Sequence, residues 1–414
     1  MVVIRPFKAI RPSADKVQEV ASLPYDVINS KEAAKLTANN PYSFLHIDKS
    51  EVDLAEDISP YDESVYAKAK ANLAAFLEKG WFIQDKEPQL YVYELTMAGR
   101  SQTGLVTCTS SDDYLTGKIK KHEFTREEKE IDRIRHVDTC DANTSPIFLT
   151  YKGQKAIDTI MTKTMEQAQI LYDFTSFHDV RHRIWPLKDP TDIHEITELF
   201  ANDVDALYIA DGHHRTESAV KVGLKRRKSN PNATADAEFN YFLSVLFPAN
   251  ELAILDYNRV ISAPLPEQFM EQLGQAFELE VSDLGQYKPQ NPGEIGMYLH
   301  SSWYKLTIKP EVIPNDEVGS LDVSILQKEV LEKIFDIQDI RTDNRIDFVG
   351  GIRGLGELEK CVDSGGFTVA FAMYPTTVEQ LLAVADANLI MPPKSTWFEP
   401  KLLSGLFVHD LESK

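Results

Sequence analysis

Residues 190–223 constrain the fold more than any other stretch. PTDIHEITELFAN reads as a helix, DALYIA is a short, mostly apolar or aromatic run, and HRTESAVKVG reads as a second helix. A buried strand between two helices needs a sheet with helices packed on it. The expected class is therefore α/β or α+β, with mixed sheets and flanking helices.

The rest of the chain extends this alternation. SADKVQEVASLPYDV predicts a short helix ending near Pro24, and SKEAAKLTANNP a second with Ser30 as its cap. SFLHID reads as a strand. DESVYAKAKANLAAFLEKGW is a stronger helix, with Val65, Ala69, Leu73, Phe76 and Leu77 at helical spacing. QLYVYELTMAG and RSQTGLVTCTS form two strands joined around Gly99-Arg100. A further helix starts at Thr125, which has capping-box spacing to Glu128, with Ile131, Ile134 and Val137 as its apolar side. SPIFLTY and HRIWPL read as strands. From residue 241 the chain is richer in strands, including YFLSVLFP, LAILDYNRVI, GMYLHSSWYKLTI and FTVAFAMYP, with helices near 266–277, 321–334 and TVEQLLAVADAN. A soft boundary near residue 260 divides a core over 1–260 from a mixed α+β region over 261–414, which ends in a ligand loop or clasp; the alternative is that its strands continue the sheet of the core.

The net charge of −20 opposes a phosphate backbone, so nucleic acid is not an expected partner. The basic cluster in KVGLKRRKS lies where cations complement a helix C-terminus. Cys108, Cys140 and Cys361 are far apart and form no CxxC pair, so neither a disulfide scaffold nor a zinc knot is expected. The start, MVVIRPFKAIRPSADK, lacks a signal-peptide core, and no run approaches a membrane span. A cytoplasmic protein without a membrane partner is the expectation.

Candidate chemistry centres on residues 211–215. Asp211-Gly212 turns the strand into the following helix, whose first N–H groups point outward for an anion. Gly212 permits close backbone approach, Arg215 can grip oxygens as a fork, and His213 or His214 adds a contact. Adjacent histidines do not aim at one metal from a helix, so the anion cradle is favoured over a metal site or a purely structural turn.

Further candidates carry structural alternatives. Lys120, Lys121, His122 and Glu123 precede a helix; Lys120 and His122 could contact phosphate and Glu123 could accept a proton, or the segment is a charged loop. His178 and His182 have a helical metal interval, but in a strand they are roughly 13 Å apart. Arg345 and Asp347 share a strand face; Asp347 could hold magnesium or sit in an ion pair. In residues 389–407, Lys394, Ser395, Thr396 and Lys401 could serve an oxyanion and Trp397 and Phe398 a ligand ring, or the prolines make a clasp. The chain has no GxxxxGK[ST] and no GxSxG.

Together, ADGHHR (210–215), KHEFT (121–125), NRIDFVGG (344–351) and MPPKSTWFEPKLLSGL (391–406) resemble the bacterial family catalogued as domain of unknown function ten-fifteen, over nearly the whole chain. That family is often encoded near serine-biosynthesis enzymes, which implies small-molecule metabolism. The DGHHR turn is also similar to the phosphate-binding turn of the ParB/sulfiredoxin superfamily, which includes nucleotide-binding proteins and free-serine kinases. The resemblance implies a ParB/sulfiredoxin-like core and places Gly212, His213, His214 and Arg215 on nucleotide phosphates. The sulfiredoxin cysteine is replaced by His213 or His214, and no helical DNA-reading region is evident. The kinases' N-terminal glutamate base has no convincing match in Glu19 or Glu32.

The implied function is a small-molecule phosphotransferase, acting on serine or a similar metabolite with ATP, ADP or another phosphate donor. Magnesium would bridge donor oxygens with help from Asp211 or Asp347, while Lys120 and Lys394 assist. A phosphatase for phosphoserine or a related metabolite, and a non-catalytic nucleotide or phosphometabolite sensor, are the alternatives. Oligomeric state is left open.

Overall fold

The computed structural model describes residues 1–283 and 285–412, and the chain divides into two compact units. Unit 1 comprises residues 1–120, 125–252 and 400–414, and unit 2 residues 121–124 and 253–399.

Unit 1 is built on strands β1 (Ile4–Arg5), β2 (Leu90–Met97), β3 (Arg100–Ser110), β4 (Ile119–Lys120), β5 (Ile147–Tyr151), β6 (Tyr172–Thr175), β7 (Arg181–Leu187), β8 (Leu207–Asp211) and β9 (Tyr241–Pro248). Its main helices are α1 (Glu63–Glu78), α2 (Glu127–Cys140), α3 (Lys155–Gln167), α4 (Pro190–Asp203) and α5 (His213–Ser229). The strands form one mixed sheet ordered β4-β8-β5-β9-β3-β2-β7-β6, with β1 paired to β3. The β4/β8 and β5/β9 pairs are parallel and the others antiparallel. β5 is wholly buried and β8 nearly so, because helices cover the sheet. Ile196 and Phe200 of α4 pack with Leu207 and Ile209 of β8 in this core.

Several local expectations change. SFLHID contains a helical turn, Leu45–Asp48, rather than a strand. Phe44, Leu45, Ile47 and Asp48 are all buried, a pattern that strand alternation does not give. The helix Ser30–Thr37 is capped by Asn29, not Ser30, with a reciprocal bond to Glu32. Thr125 and Glu128 make no capping box: Arg126 holds the N-cap position of α2 without a side-chain cap bond, and Thr125 donates instead to Glu130. Ile131 is exposed, and the inward face of α2 carries Glu130, Arg133, His136, Val137 and Cys140. The basic end of α5 is engaged in ion pairs: Lys225 with Asp138, Arg226 with Asp141 and Arg227 with Asp112.

Unit 2 begins at Ala253, and the chain from Pro400 onward belongs to unit 1. There Val408 exchanges backbone hydrogen bonds with Ile10 (3.0 and 2.8 Å), Ser404 does so with Ser22, and His409–Asp410 pairs with Ala142–Asn143. Among the described residues no helix is long and apolar enough to cross a membrane.

Unit 2 holds an antiparallel sheet of β10 (Tyr257–Ile261), β11 (Phe277–Val281), β12 (Glu294–Leu299), β13 (Ser302–Ile308), β14 (Ile346–Gly350) and β15 (Val369–Met373). Its order is β11-β13-β12-β15-β10-β14. Helices α6 (Phe269–Ala276), α7 (Leu355–Asp363) and α8 (Val378–Asp386) accompany it. Leu358 of α7 packs with Val260, Tyr298 and Ala370.

Candidate functional site

The end of β8 places Asp211 at the sheet edge, and Gly212 takes φ +96°, a left-handed conformation that suits glycine. α5 then begins at His213. Thr216 locks the first turn, its N–H and hydroxyl both donating to the Gly212 carbonyl at 2.9 and 3.0 Å. The Arg215 guanidinium folds back over Gly212 so closely that a Cβ at 212 would lie 3.1 Å from Nε. Arg215 is buried; Nη1 donates to the Pro146 carbonyl, Nη2 lies 3.8 Å from Asp211 Oδ1, and Nε has no hydrogen-bond acceptor among the described residues. A buried, unsatisfied donor on a charged group is an incomplete arrangement.

Charges of both signs meet at the turn. Burial pushes the Asp211 carboxyl up, but Lys401, with Nζ 3.2 Å from Oδ2, and Arg215 hold it well below the usual carboxylate range. Burial pulls Arg215 down, yet Asp26 and Asp211 keep it above its usual value. His214 Nε2 accepts the Arg126 N–H at 3.0 Å, so that nitrogen carries no proton. Burial also lowers His214, outweighing Asp26 and Glu130. His214 thus joins the starts of α5 and α2 as a neutral acceptor. His213 is buried at the first position of α5.

Arg215 also lines a cavity of about 360 Å³, including its open mouth, with Tyr25, Arg133, His136, Thr144 and Ser145. Arg133 is buried on α2, stacked 3.9 Å from the Tyr25 ring centroid. Its Nε and Nη2 both reach Asp132 Oδ2 at 2.9 Å, while Asp132 Oδ1 accepts from Tyr66. Thr144 and Ser145 donate to the two oxygens of buried Asp48, at 3.0 and 2.8 Å. Two buried guanidiniums, Arg133 and Arg215, thus line one small cavity.

Sequence reasoning finds Asp211, Gly212, His213, His214, Arg215 and Lys401 together in unit 1, and Lys120 in the same unit with Nζ 5.8 Å from the Tyr208 ring centroid. It misses Tyr25, Asp26, Asp48, Arg133, Thr144 and Ser145. The usable signals were the polar run NTSP directly before an apolar strand and the PYD turn after the first helix.

The other candidates lie in unit 2. His122 is buried with Nε2 3.3 Å from Thr396 Oγ1, and Glu123 is half-buried beside it in the chain. Ser395 is buried and donates to the Pro392 carbonyl, so its hydroxyl supports the loop. Lys394 is exposed. Arg345 pairs with Asp343 at 2.6 Å rather than with Asp347, whose Oδ1 accepts the Phe348 N–H at 2.7 Å. Among the described residues no group of three or more His, Cys, Asp or Glu could hold a metal. Asp211, already shared by two cations, does not fit a protein-held magnesium.

Solved structures with partial likeness include a free serine kinase in complex with AMP (14% identity, 73% of this chain and 91% of that one, TM-score 0.38). A conserved hypothetical protein from Pyrococcus furiosus (15%, 73% and 94%, 0.37) and SbnI with C-terminal truncation from Staphylococcus aureus (12%, 72% and 85%, 0.32) show the same level of likeness. At these values they carry no function to this chain. No curated protein matches it. Residues 4–324 match the family described as "Protein of unknown function (DUF1015)", and the chain belongs to that family.

Proposed function

We propose that this protein is a small-molecule phosphotransferase that seats a phosphate at the start of α5 and transfers it to or from serine or a similar small hydroxylated metabolite, with ATP, ADP or another phosphate donor. The observation that carries this reading is Arg215, a buried guanidinium pressed against Gly212 and lining a cavity, with an Nε–H that has no acceptor among the described residues. A phosphate oxygen supplies that acceptor, and the helix start adds N–H donors and a favourable dipole. The likeness of the DGHHR turn to a nucleotide-phosphate turn supports the same assignment.

In this reading Arg215 and His213 neutralise the transferring group, while His214, tied to Arg126, positions the turn. The acceptor hydroxyl oxygen bonds to phosphorus, and its proton passes to Asp26. The donor P–O bond breaks, with its electron pair leaving on the donor oxygen. Asp26 is chosen because it is exposed and its carboxylate acts more strongly than any other charge on both His214 and Arg215. Glu123, the base expected from the sequence, is the other candidate for this proton. Positioning and electrostatic stabilisation supply most of the acceleration in such transfers. Magnesium is not routed through protein ligands, since the donor set does not fit it.

The test is a product assay with purified protein, serine or phosphoserine, and ATP, ADP or pyrophosphate. Donor-dependent interconversion of serine and phosphoserine is expected. Hydrolysis of phosphoserine without donor would make the protein a phosphatase, and ligand binding without turnover would make it a sensor. Either result overturns the proposal.

A further inference from the structure

Arg259 of β10 is only 1% exposed. Its Nη1 donates to the Tyr257 carbonyl and Nη2 to the Lys394 carbonyl at 3.1 Å, and among the described residues it forms no ion pair. Burial pushes its pKa down to about 10, opposed only by Tyr257. Arg133, also buried, has Asp132 beside it and is held above its usual value. Carbonyl dipoles do not replace a counter-charge, and a desolvated cation without one is strongly unfavourable unless something else compensates it.

A second cation stands next to it. Lys394 adopts φ +61°, a conformation uncommon outside glycine, at the residue whose carbonyl Arg259 holds. Its ammonium is 5.5 Å from the Tyr257 ring centroid and forms no ion pair among the described residues. The Arg259 guanidinium lies 5.6 Å from the Phe348 ring, its register partner on β14. Trp397 packs edge-on to Tyr257 at 4.9 Å and lies against Gly350, where a Cβ would lie 3.0 Å from the indole. Unit 2 therefore holds two cations in a tightly packed aromatic setting, one of them buried without a negative partner.

We propose that Arg259 and Lys394 hold a small anionic group, the phosphate or carboxylate of a metabolite, which supplies the missing counter-charge. The rival role is a structural clamp in which Arg259 only fixes the backbone at Lys394.

The test uses the full chain with inorganic phosphate, and acetate in a parallel arm, followed by titration calorimetry and thermal unfolding. Either anion should raise the melting temperature of the unaltered protein; the stronger response identifies the source, and no response to either overturns the proposal. Lys394→Met should weaken binding at least about tenfold, the loss expected for a charged hydrogen bond. Arg259→Met should remove the response while melting no lower than the parent without anion, since apolar replacement of a buried charge is often neutral or stabilising. Unchanged affinity in Lys394→Met overturns the proposal, and that exposed position decides if Arg259→Met does not fold. Arg215→Ala, run alongside, separates this seat from the α5 site: a response lost only in Arg215→Ala sinks the unit 2 seat and leaves the proposed function standing. A response lost only in the unit 2 variants does the reverse.

Discussion

Arg215 combines a structural bond to Pro146 with an unsatisfied donor, so its replacement should be read by binding as well as by folding. Arg215→Ala is expected to weaken a phosphate ligand by about 1.5–3 kcal/mol, the worth of a charged hydrogen bond. Calorimetry with ATP and phosphoserine checks this, and equal affinity in a folded variant removes Arg215 from the site. Asp26→Asn should lower turnover about 100-fold or more with little change in binding, as for loss of a general base; comparable losses in both would make Asp26 a binding group instead. His182 tests burial away from the turn. It is fully buried, hydrogen-bonded to Tyr93 and Ser176 at 2.7 Å each, and burial lowers its pKa to about 3. The unfolded chain therefore takes up the proton first. The stability that neutral His182 preserves is complete above about pH 6.5 and lost as pH falls toward 3, by up to about 1.4 kcal/mol per unit. Urea unfolding across that range should give a shallower slope for His182→Gln, and an identical slope refutes the assignment. At this scale the turn was legible because Asp211 to Arg215 are contiguous. Arg133, Asp48 and Tyr25 were not, because only the folded chain brings them together.

Among elements, α5 is held from both sides. Its ion pairs reach α2 and the 111–115 helix, and Gly223 lies so close to Phe239 that a Cβ would collide with the Phe239 carbonyl. Gly223→Ala should destabilise the protein by about 1–3 kcal/mol, the usual range for overpacking, seen as a lower urea midpoint. An unchanged midpoint would mean that the 238–240 turn shifts freely. The mixed architecture with flanking helices was readable because β2, β8 and β9 have strongly apolar sequences and α1 and α4 have helical patterns. α2 was misread at its inner face: Arg133 and His136 are buried by the polar cavity they line, so hydrophobic periodicity pointed to Ile131 instead.

For the whole molecule, the chain order of unit 1 matters more than its length. Its sheet is made from residues before 253, yet Lys401, Ser404, Val408 and His409 contribute contacts after unit 2 has been completed in sequence. A chain stopped after Glu399 is expected to lose the Asp211 partner and the Ile10 pairing. Thermal unfolding followed by circular dichroism should then show an earlier, broader transition, and a truncated chain melting like the parent would contradict this. Such long-range pairing also delays closure, because distant segments must meet before the contacts form. A ribosome that stalls before residue 401 would thus release a polypeptide lacking the Lys401 cation beside Asp211 and the Val408 stitch to Ile10. Synthesis past Val408 and closure of that corner become the same event.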